Sequence, residues 1–263
     1  LFRFAKKNKI ICFSSPFDET AVDLLEELNT PFYKVASPEI THIPLIKKIA
    51  KTKKTIIMST GMANLKEIDL AYKVAKQNGA KSIIILYCVS KYPAQISDYN
   101  FNNIKILKKR FGCKIGFSDH SLDNRVAATA IACGAELIEK HIALRNEKKS
   151  PDYKFSLKDK EIKTYIDNIN EISAMKGKNF FYRNLTESKN LKYRQSIYSI
   201  SKISKGDKIT KDNIKVLRPA NGLHPIYFEE LLNKKCPINI KKGTPLNQLL
   251  LKKLKIKKKK WKK

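Results

Sequence analysis

Residues 114–141 read KIGFSDHSLDNRVAATAIACGAELIEKH, and this stretch decides how the rest of the chain is interpreted. Two short apolar runs in it each end in a polar cluster with a histidine, SDH at 118–120 and EKH at 139–141. The small-residue segment between them has the pattern and length of one helix. The stretch therefore predicts strand, helix, strand, with His120 and His141 at the carboxyl ends of neighbouring parallel strands. Active sites of α/β barrels lie at that end of the strands, so two imidazoles there predict a metal-binding pair. The alternative for either histidine is a purely structural hydrogen bond.

The same alternation extends towards the N-terminus. Four more apolar runs precede the opening stretch: residues 10–15 (IICFSS), 32–37 (FYKVAS), 55–60 (TIIMST) and 82–88 (SIIILYC). Amphipathic segments between the runs predict helices, one of which begins with the capping-box pattern of Asn64 and Glu67. Six strand–helix units with nearly continuous apolar strands predict a parallel sheet that is buried on both faces.

Polar or small residues end all six predicted strands. A doubly wound open sheet usually gathers its chemistry at one switch point, so this distribution favours an α/β TIM-type (β/α)8 barrel. A closed barrel of this type has eight units, and we therefore expect the chain to lack the first two βα units. The first residue is leucine rather than methionine, which agrees with a natural start further upstream.

The composition changes after the barrel pattern ends. We predict a partial barrel and catalytic domain over residues 1–178 and a linker over residues 179–195. Short β patterns with glycine turns predict a small β-rich domain over residues 196–250. Nine of the last twelve residues are lysines, and such a block is typical of a solvated tail, here residues 251–263.

The formal charge is +30, from 54 basic and 24 acidic residues, and a charge of this size raises the question of nucleic-acid binding. Residues 231–263 contain thirteen lysines and no acid, so much of the charge lies at one end. No RNA-binding aromatic motif, zinc finger or helix-turn-helix signature accompanies it. We therefore interpret the charge as a general compositional bias and do not expect nucleic acid to be the main partner.

Two further features of the composition concern the cellular location. The five cysteines are scattered without a CxxC pair, which predicts buried reduced thiols. No apolar run is long enough for an ordinary transmembrane helix, and no signal peptide is evident. We expect a cytoplasmic protein with no membrane partner.

Several motifs, in the same order, resemble those of the sialic acid synthase family. They are FSSPFD, YKVASPEIT, STGM, YPAQISD, GFSDHS, IEKH, SPDYKFSL, RPANGLHP and KKGTPL, from about residue 10 to residue 246. FSSPF, SPE and GLHP are most similar to the pseudaminic acid synthase branch. The resemblance implies a barrel followed by an antifreeze-like (SAF) domain that completes the partner subunit's active site in a domain-swapped homodimer.

The resemblance also implies the reaction and its cofactor. Family members condense phosphoenolpyruvate with an open-chain amino sugar and release phosphate; in the pseudaminic branch the sugar is 2,4-diacetamido-2,4,6-trideoxy-altrose. His120 and His141 are expected to hold a divalent ion, manganese or magnesium, with cobalt as a further candidate. A Lewis acid at the barrel mouth can polarise the sugar aldehyde for attack by the enol carbon.

Further site residues follow from the matched motifs. The resemblance gives catalytic roles to Lys34, Glu39, Tyr92 and Asp152, and substrate contacts to Ser15, Ser37, Ser59, Ser90, Ser118 and Arg218. Without it, the serines are ordinary strand-end hydrogen-bonding groups, Glu39 is a helix-start carboxylate and Arg218 is a surface arginine. Lys34 differs, because a lysine inside a buried strand is costly unless it is paired, and a bound anion would pair it.

Two residues depart from the expected pattern: Ser90 stands where the sialic branch commonly has an asparagine, and Ser150 stands where the family has a glycine. Three alternatives stay open: an N-acetylneuraminate or legionaminate synthase that uses a mannosamine-type sugar, an inactive remnant that binds anions or nucleic acid non-specifically, and a different phosphoenolpyruvate aldolase-type barrel. The small C-terminal domain disfavours the last of these.

Overall fold

The computed structural model describes residues 1–177 and 180–259. The chain divides into two units, Leu1–Gly177 and Lys178–Lys263. Residues 178–179, at the predicted domain boundary, and residues 260–263, in the predicted tail, lie outside the described part.

The first unit is built on a parallel sheet of five strands whose spatial order is their order in the chain. The strands are β1 (Phe32–Val35), β2 (Thr55–Ser59), β3 (Ser82–Cys88), β4 (Lys114–Asp119) and β5 (Ile138–Lys140). Isoleucines of the central strands, such as Ile56, Ile85 and Ile115, are almost completely buried. The predicted parallel sheet is confirmed, and the unit is a partial barrel of the TIM type.

Helices alternate with the strands as the amphipathic segments predict, and a further helix that was not predicted, α1, precedes them. They are α1 (Phe2–Lys7), α2 (Glu19–Glu27), α3 (Ile43–Lys51), α4 (Leu65–Gln77), α5 (Asn102–Phe111), α6 (Asn124–Ala132) and α7 (Lys160–Lys176). The predicted capping box is confirmed: the Asn64 side chain accepts hydrogen bonds from the first turn of α4, and Glu67 accepts one from the Asn64 backbone N–H. The apolar face of α3 is fully buried against the sheet, through Leu45, Ile46 and Ile49.

The strand predicted over residues 10–15 does not form over that length. Only Ser14 bridges to Tyr33, where its carbonyl accepts a hydrogen bond from the Lys34 backbone N–H at 3.3 Å. Ile10 and Ile11 are 62% and 68% exposed. In the described part of the chain no strand lies on the outer side of this segment, so it has neither the ladder nor the burial that stabilise a strand.

The second unit has its own core and a small antiparallel pair, β6 (Ser196–Ser199) and β7 (Ile214–Leu217). Three short helices accompany it: α8 (Leu185–Lys189), α9 (Phe228–Leu231) and α10 (Gln248–Lys253). The part of the predicted tail that is described packs against this unit. Leu251 is buried, and the Lys259 backbone N–H donates to the Tyr227 hydroxyl at 2.9 Å.

None of the described helices combines the length and the apolar character needed to cross a membrane. All five cysteines are free thiols.

Candidate active site

A cavity of about 310 Å³ opens at the carboxyl ends of β1–β5. Parallel strands bring these ends to one edge of the sheet, where the side chains that follow each strand converge. Eight predicted site residues line the cavity: Ser15, Lys34, Ser37, Ser59, Tyr92, Ser118, His120 and His141. Glu139, Lys140 and Cys88, which were not predicted as site residues, line it too.

Lys34 is one of two buried lysines that line the cavity, the other being Lys140. The Lys34 side chain is 9% exposed, and its Nζ lies 3.6 Å from Glu139 Oε2 and 3.5 Å from the Val35 carbonyl oxygen. The Ser118 hydroxyl donates to the other Glu139 oxygen at 2.6 Å. Lys34 was expected to need a partner, and Glu139 supplies one in addition to the anion that the sequence suggested. Glu139 could have been identified as a site residue from its position two residues before His141, because this spacing places both side chains on the same face of a strand.

His120 and His141 face each other with ring centroids 5.2 Å apart. His120 is 4% exposed, and burial lowers the pKa of its imidazole, which favours the neutral form. Its Nδ1 lies 3.0 Å from the Val89 carbonyl oxygen, and His141 Nδ1 lies 3.2 Å from Asp152 Oδ2. Each ring is therefore held through Nδ1, which leaves Nε2 for another partner.

The residues that hold His141 come from the segment after β5. The His141 carbonyl accepts a hydrogen bond from Leu157 N–H at 2.9 Å, and the 3₁₀ turn Pro151–Phe155 carries Asp152 to the imidazole. Phe155, from the same turn, packs 5.0 Å from the His141 ring. The turn thus supplies both the carboxylate and an apolar wall beside the histidine pair.

Tyr92 covers the histidines from the loop after β3. Its ring centroid lies 4.3 Å from that of His120 and 5.3 Å from that of Phe155. The loop is anchored by Ala94, whose backbone N–H donates to the His120 carbonyl at 3.1 Å. Tyr92 is still 52% exposed, so its ring can contact a molecule in the cavity.

Three predicted residues carry buried polar atoms that have no hydrogen-bond partner in the described residues: Glu39 Oε2, Ser59 Oγ and Ser90 Oγ. Ser37 differs, because its Oγ accepts the Gly61 backbone N–H at 3.0 Å. Unpartnered buried polar atoms cost free energy unless a ligand or water satisfies them. Of the three, only Ser59 is among the residues that line the cavity. Ser90 lines a neighbouring pocket with Cys88, and Glu39 follows β1 beside Ser37 and Pro38 of the cavity wall.

The donor chemistry of the histidine pair fits a divalent transition metal ion. Both imidazoles are oriented by an acceptor at Nδ1, which is how protein ligands to metals are commonly held. The described residues contain no group of three or more His, Cys, Asp or Glu side chains arranged to hold a metal. Two imidazoles leave coordination positions open, so the pair fits an ion that also takes substrate and water oxygens.

Arg218 lies in the second unit, beside a cavity of about 670 Å³ that Arg194 and His224 also line.

The chain matches two family models in succession. Residues 1–180 match the NeuB family, and residues 194–251 match the SAF domain. The N,N'-diacetyllegionaminic acid synthase of Campylobacter jejuni is 40% identical over 244 residues, which cover 92% of this chain and 73% of that protein.

A second relative and a solved structure agree with this match. The pseudaminic acid synthase of Helicobacter pylori is 38% identical over 248 residues, covering 94% of this chain and 73% of that protein. The crystal structure of the spore coat polysaccharide biosynthesis protein SpsE of Bacillus subtilis superposes with a TM-score of 0.63 at 30% identity, covering 93% of this chain and 74% of that one.

Proposed function

Because the chain belongs to the NeuB family and is a phosphoenolpyruvate-condensing nonulosonic acid synthase, we propose that it makes pseudaminic acid, with 2,4-diacetamido-2,4,6-trideoxy-altrose as its sugar substrate. The observation that carries the proposal is one cavity that joins a buried lysine to a pair of oriented, facing imidazoles. The FSSPF, SPE and GLHP motifs support the pseudaminic branch. The second candidate product is legionaminic acid, which the 40% identity to a legionaminic acid synthase favours.

Phosphoenolpyruvate brings a carboxylate and a phosphate, and the residues around Lys34 suit such a dianion. Lys34 supplies the positive charge, and the hydroxyls of Ser15 and Ser59 supply donors around it. Ser37 and Ser118 would contribute by exchanging their present acceptors, Cys88 Sγ and Glu139 Oε1, for the anion. Ser59 Oγ has no partner among the described residues, so a bound anion would satisfy it without breaking an existing bond. Glu139 limits the net charge near Lys34 and keeps its ammonium group in place.

His120 and His141 would hold the divalent ion, manganese or magnesium, with cobalt as a further candidate. When bound, such an ion supplies a Lewis acid that orients and polarises the sugar aldehyde. Asp152 Oδ2 lies 3.2 Å from His141 Nδ1 and so leaves Nε2 of that ring for the ion. The ring of Tyr92, supported from behind by the buried ring of Phe155, can pack against one face of the sugar chain.

Glu39 and Ser90 would act on the sugar. The unpartnered Oε2 of Glu39 can accept a hydrogen bond from a sugar hydroxyl or move a proton during carbon–carbon bond formation. Ser90 offers an unpartnered hydroxyl to a substituent of the sugar.

We assign catalysis to residues 1–178 and substrate closure to residues 196–250, joined through the linker 179–195. In this assignment Arg218 is offered to the sugar bound by a partner subunit, and the active form is a domain-swapped homodimer.

The proposal is tested by phosphate release from phosphoenolpyruvate with Mn²⁺, with the altrose-type and a mannosamine-type sugar assayed in parallel. We expect a higher kcat/KM with the altrose-type sugar and a nine-carbon 2-keto acid as product. A higher kcat/KM with the mannosamine-type sugar would assign the protein to the legionaminic branch. Equal, sugar-independent phosphate release would contradict both candidates.

A further inference from the structure

β4 and β5 end in matched residues. Their parallel register sets Ser118 opposite Glu139 and Asp119 opposite Lys140. Successive residues of a strand point to opposite faces, so Ser118 and Glu139 meet over the cavity while Asp119 and Lys140 pair towards α7. Part of the Lys140 side chain also lines the cavity. His120 directly follows Asp119, and His141 directly follows Lys140, so each of these two residues precedes one histidine of the facing pair.

Asp119 and Lys140 form a buried ion pair. Lys140 Nζ lies 3.3 Å from Asp119 Oδ2, and the two side chains are 8% and 1% exposed. Lys140 Nζ also donates to the Ser121 carbonyl oxygen.

The remaining acceptor positions of Asp119 are filled as well. Its Oδ1 accepts both the backbone N–H and the hydroxyl of Ser121, at 2.8 and 2.6 Å. Tyr165, a buried residue of α7, donates its hydroxyl to Oδ2 at 2.7 Å. Both oxygens are thus satisfied by fixed protein groups, and α7 is tied to the ends of the two strands.

This ion pair contributes more to the specificity of the strand register than to the stability of the fold. Desolvation cancels most of the Coulomb attraction of a buried ion pair, yet leaving one partner unpaired is strongly unfavourable. A one-residue slip of β5 against β4 would separate Lys140 from Asp119 and turn His141 away from His120. The ion pair therefore selects the register in which the two imidazoles face each other.

We propose that Asp119, Lys140 and Tyr165 are positioning residues that hold His120 and His141 in their facing arrangement. In this role they act through the strand register, although Lys140 also lines the cavity. The inference rests on the proposed metal function of the two histidines.

The main test is Tyr165→Phe, which removes one hydroxyl and keeps the ring. Tyr72→Phe is the matched control, because Tyr72 also donates its hydroxyl from a helix, to the Phe111 carbonyl at 3.3 Å. The chain has four histidines, so histidine side-chain NMR reports His120 and His141 beside the internal references His42 and His224.

We expect Tyr165→Phe to shift the His120 and His141 resonances and to leave those of His42 and His224 in place. We also expect the Kd for Mn²⁺ to rise about tenfold, the low end of what loss of a supporting hydrogen bond costs a metal site. Tyr72→Phe should change neither quantity. Unshifted histidine resonances together with an unchanged Kd in Tyr165→Phe would overturn the proposal.

A second variant separates positioning from simple stabilisation. Asp119→Leu combined with Lys140→Met replaces the pair by apolar side chains, a change that often keeps or raises the stability of a fold. We expect a folded protein with an unchanged midpoint of thermal unfolding and a weakened Mn²⁺ site. A wild-type Kd and wild-type histidine resonances in this double variant would also overturn the proposal.

A different result would show that the proposed metal site itself is wrong. In that case wild type would bind Mn²⁺ no more tightly than His120→Ala combined with His141→Ala. The histidine resonances of Tyr165→Phe would then still decide whether Tyr165 positions the two rings.

Discussion

Lys34 on β1 and Glu139 on β5 face each other across the cavity, with Nζ 3.6 Å from Oε2, although 105 positions separate them in the chain. The two strands are the outer strands of the sheet, so the contact exists only because the sheet curves as a barrel does. The relationship places one cation and one carboxylate at the centre of the proposed phosphoenolpyruvate site.

Replacing Lys34 by methionine should weaken catalysis with little change of shape. Methionine keeps most of the buried apolar length of the side chain but offers no charge to the substrate. We expect kcat/KM for phosphoenolpyruvate to fall by at least about a hundredfold, the scale of losing a buried charge partner. Lys54→Met is the control, because Lys54 forms a partly exposed ion pair with Glu26 away from the cavity. Wild-type kinetics for Lys34→Met would contradict the assignment.

Asp152→Asn should weaken metal binding without removing a metal ligand. The amide cannot hold the imidazole of His141 as the carboxylate does at 3.2 Å, and loss of such a partner typically costs 10- to 100-fold, roughly, in metal affinity. Titration with Mn²⁺ followed by electron paramagnetic resonance measures the effect. Asp167→Asn, in an exposed pair with Lys163 on α7, should leave the affinity unchanged. Equal affinities in the two variants would argue against a metal role of His141.

Two glycine substitutions should separate an effect on activity from an effect on the stability of the fold. A Cβ at Gly61 would lie 2.0 Å from Ser90 Oγ and 2.7 Å from Ser37 Oγ, so Gly61→Ala should displace two predicted substrate contacts and reduce kcat/KM. A Cβ at Gly116 would lie 2.5 Å from Leu86 Cδ2 and 2.6 Å from the Leu137 carbonyl oxygen. Gly116→Ala should therefore lower the free energy of unfolding by about 1–3 kcal/mol, as overpacking of a core does. The prediction fails if Gly61→Ala keeps full activity.

Stability should depend on pH through Glu26. Burial alone would raise the pKa of Glu26, but hydrogen bonds from Lys54 and Tyr33 outweigh it and lower the pKa below 4.5. A depressed carboxyl pKa stabilises the folded state above the unfolded value, and this contribution is lost as the pH falls through the folded pKa. The difference in unfolding free energy between wild type and Glu26→Gln should be constant at neutral pH and shrink below about pH 4.5. A difference that grows on acidification would contradict this assignment.

Arg218 offers a test of the swapped dimer. If it acts in the partner subunit's site, Arg218→Ala and His120→Ala chains should each be inactive alone, while mixed dimers contain one intact site. Co-refolding equal amounts should then restore roughly a quarter of wild-type turnover per chain. No recovery in mixtures that do form heterodimers would contradict the swapped arrangement.

The sequence allowed much of the fold to be predicted, for identifiable physical reasons. Nearly continuous apolar runs predicted the parallel sheet, and the capping box at Asn64 marked the start of α4. The run over residues 10–15 has the same apolar composition, but composition does not report whether a neighbouring strand is present to pair with it. That segment is therefore extended without forming a full strand.

The candidate site was less predictable because it depends on register. The sequence placed His120 and His141 at strand ends, but which side chains meet across β4 and β5 follows only from the observed pairing of Asp119 with Lys140. Tyr165 lies 46 positions from Asp119 on a helix, and no local pattern connects the two. Contacts of this kind depend on tertiary packing and are not encoded in a short motif.

The lysine-rich end illustrates the same limit. A block of lysines is typical of a solvated tail, yet the interspersed Leu251 is buried and Ile256 packs against the second core. The high lysine content masked a short amphipathic pattern in the sequence. One apolar side is enough for α10 to pack against the second core.

The most direct test of the central claim, that this cavity condenses phosphoenolpyruvate with an amino sugar, is phosphate release with Mn²⁺ in wild type and His120→Ala. The account predicts release that requires the sugar and that is abolished in His120→Ala, with the variant folded as judged by its thermal unfolding. Sugar-dependent release that persists at the wild-type rate in His120→Ala would contradict it.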